Sequence, residues 1–63
     1  MARIIQIENH VETREVRAIA LVTTKRCTSV VEVAVASTSE LAVKTLLRAV
    51  PAFKKATVYD MRK

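Results

Sequence analysis

No glycine occurs in the 63 residues, and that absence limits both the turns the backbone can make and the ligands it can hold. Phosphate-cradling loops and dinucleotide fingerprints use glycine because the backbone there must turn tightly and approach the pyrophosphate. Those nucleotide sites are excluded. Two-residue hairpin turns also depend on residues that accept positive φ, glycine above all. The turns of this chain must draw instead on Asn, Ser, Thr and charged residues, which suits longer loops.

A chain of this length buries only about 60% of its unfolded surface, so residues 1–63 are expected to form a single domain around one small core. Apolar residues make up 51% of the sequence, too many for an intrinsically disordered chain. The lone cysteine, Cys27, has no internal partner, and with a single histidine, His10, there is no soft-ligand set for zinc; Cys27 reads as a plain thiol in a reducing compartment. The start Met1-Ala2-Arg3-Ile4-Ile5-Gln6-Ile7-Glu8 reaches polar residues too soon for a signal peptide. No apolar segment approaches the roughly 20 residues of a membrane span. The expected location is cytoplasmic, and no cofactor or metal is expected.

Ile4, Ile5 and Ile7 mark a first strand that ends at the turn-prone Asn9. Residues 15–25 fit two periods, because Val16, Ile19, Ala20 and Thr23 also lie on one helical face. The β-branched end and the following turn favour a strand, paired as a hairpin with the valine-rich residues 30–36. Ser37 stands three residues before Glu40 in the capping-box pattern, so a helix begins there. Its apolar stripe is Ala42, Val43, Leu46, Leu47 and Val50, and Pro51 ends it by forcing Val50 out of helical geometry. Residues 57–62 alternate apolar and polar positions and read as a last strand. The fold class is α+β: a small sheet of three to four strands with one helix on one face, in the order β-β-β-α-β. The strands flanking the helix form a βαβ unit, expected to bring Glu32 and Arg62 to neighbouring strands.

No residue cluster reads as catalytic. His10 has no positioned acid–base partner and reads as a surface loop residue. Cys27 follows Lys25 and Arg26, cations that favour a thiolate, yet a single turn thiol is ordinarily incidental. Glu8, Glu12 and Glu15 would need a cleft to act as paired carboxylates, and a domain this small offers little of one. Phe53 reads as a core residue beneath its loop.

Charge is distributed unevenly. Residues 1–43 hold five Lys or Arg against five acids, whereas residues 44–63 hold six, Lys44, Arg48, Lys54, Lys55, Arg62 and Lys63, against Asp60 alone; the net charge of +5 therefore resides in the C-terminal segment. Such a patch attracts polyanions through counterion release or steers a domain onto an acidic protein surface. Stacking aromatics of the kind used on single strands are limited to Phe53 and Tyr59.

Taken in order, Glu32-Val33, Ser37-Thr38-Ser39-Glu40-Leu41-Ala42, Leu46-Leu47, Val50-Pro51-Ala52 and Val58 to Arg62 carry a resemblance over roughly the C-terminal half. This half resembles the small inhibitors of bacterial RNA polymerase made by T-odd lytic phages, which place a strand, a helix ending near Val-Pro-Ala and a final strand in this order. The resemblance implies that a glutamate on the strand before the helix and arginines on the final strand contact the polymerase jaw and block initiation. Glu32 and Arg62 stand at the matching positions, and Asp60 stands where the family has another arginine.

The reading is a non-enzymatic, phage-type regulatory protein that binds a bacterial protein such as RNA polymerase through Glu32, Tyr59 and Arg62. Its alternative is a basic nucleic-acid-binding module using Lys44, Arg48, Lys54, Lys55, Arg62 and Lys63. A structural homo-oligomer is the third, since an exposed strand edge invites pairing with a second copy.

Overall fold

Strand β1 (Ala2–His10) is followed by β2 (Glu15–Thr23) and β3 (Thr28–Ala36), the helix α1 (Ser39–Ala49), a 3-10 turn over Pro51–Lys55 and β4 (Thr57–Asp60). The computed structural model describes residues 1–61. The ambiguous second segment is a strand. Val16, Ala18 and Ala20 are buried while Arg17, Ile19 and Leu21 are only half-buried, so a period of two prevails over the helical period that the same residues allow.

The four strands lie in the order β3-β2-β1-β4. The β1–β2 and β2–β3 pairs are antiparallel, and β4 runs parallel to β1. The connection through α1 thus starts at one edge of the sheet and ends at the other. This corrects the expectation that the strands flanking the helix are neighbours: β1, β2 and β3 leave two free edges, the outer sides of β3 and of β1, and β4 takes that of β1.

Both hairpins turn without glycine over four residues. In the first, Arg14 adopts φ 55°, the left-handed region that a Cβ disfavours. In the second, Thr24 organises the loop: its hydroxyl donates to the Cys27 carbonyl at 3.1 Å and accepts from the Arg26 and Cys27 amides at 3.4 and 3.3 Å. A side chain here does the work of a backbone turn.

The helix follows the expected stripe, with Ala42 and Leu46 buried and Val43, Leu47 and Val50 against the core. Its cap is shifted by one residue. Thr38, extended at φ −131° and ψ 159°, is the N-cap, and its hydroxyl accepts from the Leu41 amide at 3.3 Å. Ser37 and Glu40 therefore form no capping box; Glu40 sits in the first turn, where a carboxylate favours the helix dipole. Val50 leaves helical geometry at φ −133° and ψ 81°, as the following proline requires. Pro51 then opens the 3-10 turn that buries Phe53.

Four alanines, Ala18, Ala20, Ala34 and Ala42, form much of the buried layer between sheet and helix, and Ile5, Leu46 and Phe53 fill it. Small residues let the helix approach the strands closely, at the cost of little apolar volume per contact. The helix lies over β2 and β3, and the 3-10 turn lies against β1. The opposite face of the sheet carries no helix.

Candidate protein-binding face

Strand alternation delivers one set of side chains to the core and the other to the helix-free face, and the register assembles the second set into rows. Val33, Ile19, Gln6 and Tyr59 lie side by side across β3, β2, β1 and β4; Val30, Leu21, Ile4 and Thr57 form the next row. Towards the other end, Val35 lies beside Arg17 and Glu8, and beyond them Glu15 lies beside His10. Val30, Val33, Val35 and Tyr59 are 63, 42, 45 and 52% exposed, values too high for residues of a finished core. A shallow groove of about 360 Å³ runs between Ile4, Leu21, Thr28 and Tyr59.

The charged end of this face is an alternating tetrad. Glu8 lies 3.4 Å from the Nε2 of His10, and Glu15 lies 3.9 Å from Arg17. Neither contact is well formed: His10 Nε2 and Arg17 Nε have no hydrogen-bond partner although both atoms are shielded from solvent. Among the described residues these are the contacts of this kind between a basic and an acidic side chain, other than any made by Asp60.

Of the residues expected from the sequence to share one binding surface, Glu32 and Tyr59 are not gathered together. Tyr59 is on β4 in the row of Gln6, on the helix-free face. Glu32 is on β3 opposite the buried Ala20, hence on the helix side of the other edge. Two strands intervene, so β3 and β4 are about 14 Å apart at the usual strand spacing. Arg62 lies outside the described residues, as does Lys63. Glu32 instead accepts a hydrogen bond from the Val33 amide at 3.1 Å.

The basic residues lie elsewhere. Lys44 and Arg48 are exposed one helical turn apart on α1, and Lys54 and Lys55 are exposed on the 3-10 turn. None of the four makes an ion pair among the described residues. Cys27 is an exposed free thiol, and among the described residues no three His, Cys, Asp or Glu side chains group as a metal site would need. Among the described residues, no helix is long and apolar enough to cross a membrane.

Sequence reasoning assigned no binding role to Ile4, Ile19, Leu21, Val30, Val33 or Val35. The signal was nevertheless present in Ile4-Ile5, Leu21-Val22 and Val30-Val31, where adjacent apolar residues occupy both phases of a strand, a pattern associated with sheets covered on both faces. Comparison with protein-family models, with curated proteins and with solved structures gives no match for this chain.

Proposed function

We propose that this is a non-enzymatic binding protein that docks onto another protein through the helix-free face of its sheet, in the cytoplasm of a bacterial host. The observation that carries the reading is the exposed row of Val33, Ile19, Gln6 and Tyr59 with its neighbours Val30 and Val35. Apolar and aromatic side chains on an open sheet face, with charge at one end, have the composition of a protein interface. Bacterial RNA polymerase is the partner to test first, on the strength of the resemblance in the C-terminal half. Binding of the purified chain to purified polymerase is expected to weaken on Val33→Lys and on Tyr59→Ala, by about 2 kcal/mol if either is a hot spot. Undiminished binding by both folded variants would remove the face from the interface, and absence of binding by the wild type would remove the polymerase.

A second reading, nucleic-acid binding, is favoured by the four exposed cations Lys44, Arg48, Lys54 and Lys55, which make no ion pair among the described residues. They lie on the helix and 3-10 turn, so this activity would use a different surface from the open face.

A further inference from the structure

The strands of this sheet carry apolar residues in both phases, as strands covered on both faces do, but α1 covers one face only. The open face has three properties that together specify its cover. It is nearly neutral: Glu8, Glu15 and Arg17 leave it with about one negative charge, so the net charge of the chain lies elsewhere and a polyanion has no reason to settle here. It is large enough: the three nine-residue strands extend about 30 Å over a width of about 14 Å, and the four-residue β4 adds about 13 by 5 Å, a face of about 500 Å². Two such faces reach the total of about 1,000 Å² expected of a specific interface. And its rows are complementary to themselves.

We propose that, in the free protein, a second copy of this chain covers the open face, related by a two-fold axis lying in the interface, parallel to the strands and between β1 and β2. The proposal rests on the reading of this face as a docking surface and names its occupant. Such an axis stacks the order β3-β2-β1-β4 on its reverse, so β1 lies over β2 of the second copy and β3 lies over β4. Because Glu8 and Arg17 share a row, Glu8 of each copy falls over Arg17 of the other. His10 and Glu15 share the next row, so they oppose each other across the interface in the same way. Ile4 falls over Leu21, and Tyr59 falls over Val33, again by shared rows. Two sheets packed face to face lie about 10 Å apart with strands within about 30° of alignment, which keeps opposed rows within side-chain reach. The contact is isologous and closes at two copies.

The edges are less suited to the same task. β4 is four residues long. On β3 the register shifts between Ala20 and Leu21, leaving Val31 as an extra residue, and Glu32 occupies the Val33 amide. A bulge and a charge are both devices that discourage edge pairing.

Sedimentation of the full chain over a dilution series tests the dimer. A concentration-dependent monomer–dimer equilibrium is expected. Arg17→Glu sets like charges against each other at two symmetric contacts, and is expected to weaken dimerisation about tenfold or more. Adding Glu8→Arg to Arg17→Glu restores the opposed signs and is expected to restore the dimer, which an unrelated partner's fixed surface would not allow. Circular dichroism confirms that each variant is folded. A wild type that is monomeric throughout, a dimer indifferent to Arg17→Glu, or a folded double variant that stays monomeric overturns the proposal. Polymerase capture by Val33→Lys, measured in parallel, separates the two readings. Loss of capture with a monomeric wild type leaves the docking face standing and refutes only the second copy. A wild-type dimer whose polymerase capture is unaffected by Val33→Lys leaves the second copy standing and refutes docking onto the polymerase through this face.

Discussion

The carboxylate of Glu32 accepts a hydrogen bond from the amide of the next residue, Val33, at 3.1 Å, on a strand that forms one edge of the sheet. An edge amide is what an incoming strand would bind, and here the chain's own side chain holds it. The same glutamate that the sequence suggested as a partner contact thus has a structural task in the isolated chain. Around it, β3 exposes Val30, Val31, Val33 and Val35, and Glu32 is the strand's sole charge. Without it β3 would be a long apolar edge, a form that natural sheets avoid.

Glu32→Ala is accordingly expected to leave the fold intact and to promote association through β3. Sedimentation should show species larger than those of the wild type at equal concentration, with no loss of strand signal by circular dichroism. Identical sedimentation of variant and wild type would mean that the hydrogen bond does not guard the edge.

Arg14 holds φ 55° in a chain without glycine, a conformation that costs a residue bearing a Cβ about 1–2 kcal/mol. Arg14→Gly removes that strain and adds chain entropy to the unfolded state, which offsets part of the gain. The expected net is stabilisation of up to about 1 kcal/mol, read as a raised urea midpoint with an unchanged slope. A lowered midpoint would mean that the arginine side chain contributes more than its backbone conformation costs.

Leu46 is the only large helix residue that is completely buried, and half of the buried strand residues beneath the helix are alanines, Ala18, Ala20 and Ala34. Small neighbours have few side-chain atoms with which to close a void, so Leu46→Ala is expected to cost about 3–5 kcal/mol, enough to unfold a domain of this size under mild conditions. Leu41, 49% exposed on the same helix, is the control: Leu41→Ala should shift the midpoint by less than about 1 kcal/mol.

For the nucleic-acid reading, the salt dependence of duplex binding is the direct measure. If Lys54 and Lys55 both touch phosphate, replacing both with alanine should lower the logarithmic salt slope by about 2. An unchanged slope would place the contact elsewhere, and absence of binding at low salt would end this reading.

How much of this protein was legible in its sequence depends on the range of the forces involved. The helix could be read from Ala42 to Val50 because its stripe and its proline stop are encoded within a few residues of each other. The hairpin of β2 and β3 was legible for the same reason, once the β-branched residues had decided between two periods. Local chemistry also excluded glycine-dependent phosphate sites before any fold was known. The cap was misplaced by one residue because Ser37, Thr38 and Ser39 all offer a hydroxyl, and only the path of the chain out of β3 selects Thr38. The grouping of Glu32 with Tyr59 failed at longer range. The sequence specifies that a strand precedes the helix and another follows it, but strand order depends on which of two free edges, that of β3 or that of β1, β4 takes. The β1 edge lies far from the helix in the chain, so only the assembled sheet places Glu32 at one edge and Tyr59 at the other. The open face has the same origin. Each strand records that it is apolar in both phases, whereas the number of faces one short helix can cover is a property of the whole domain.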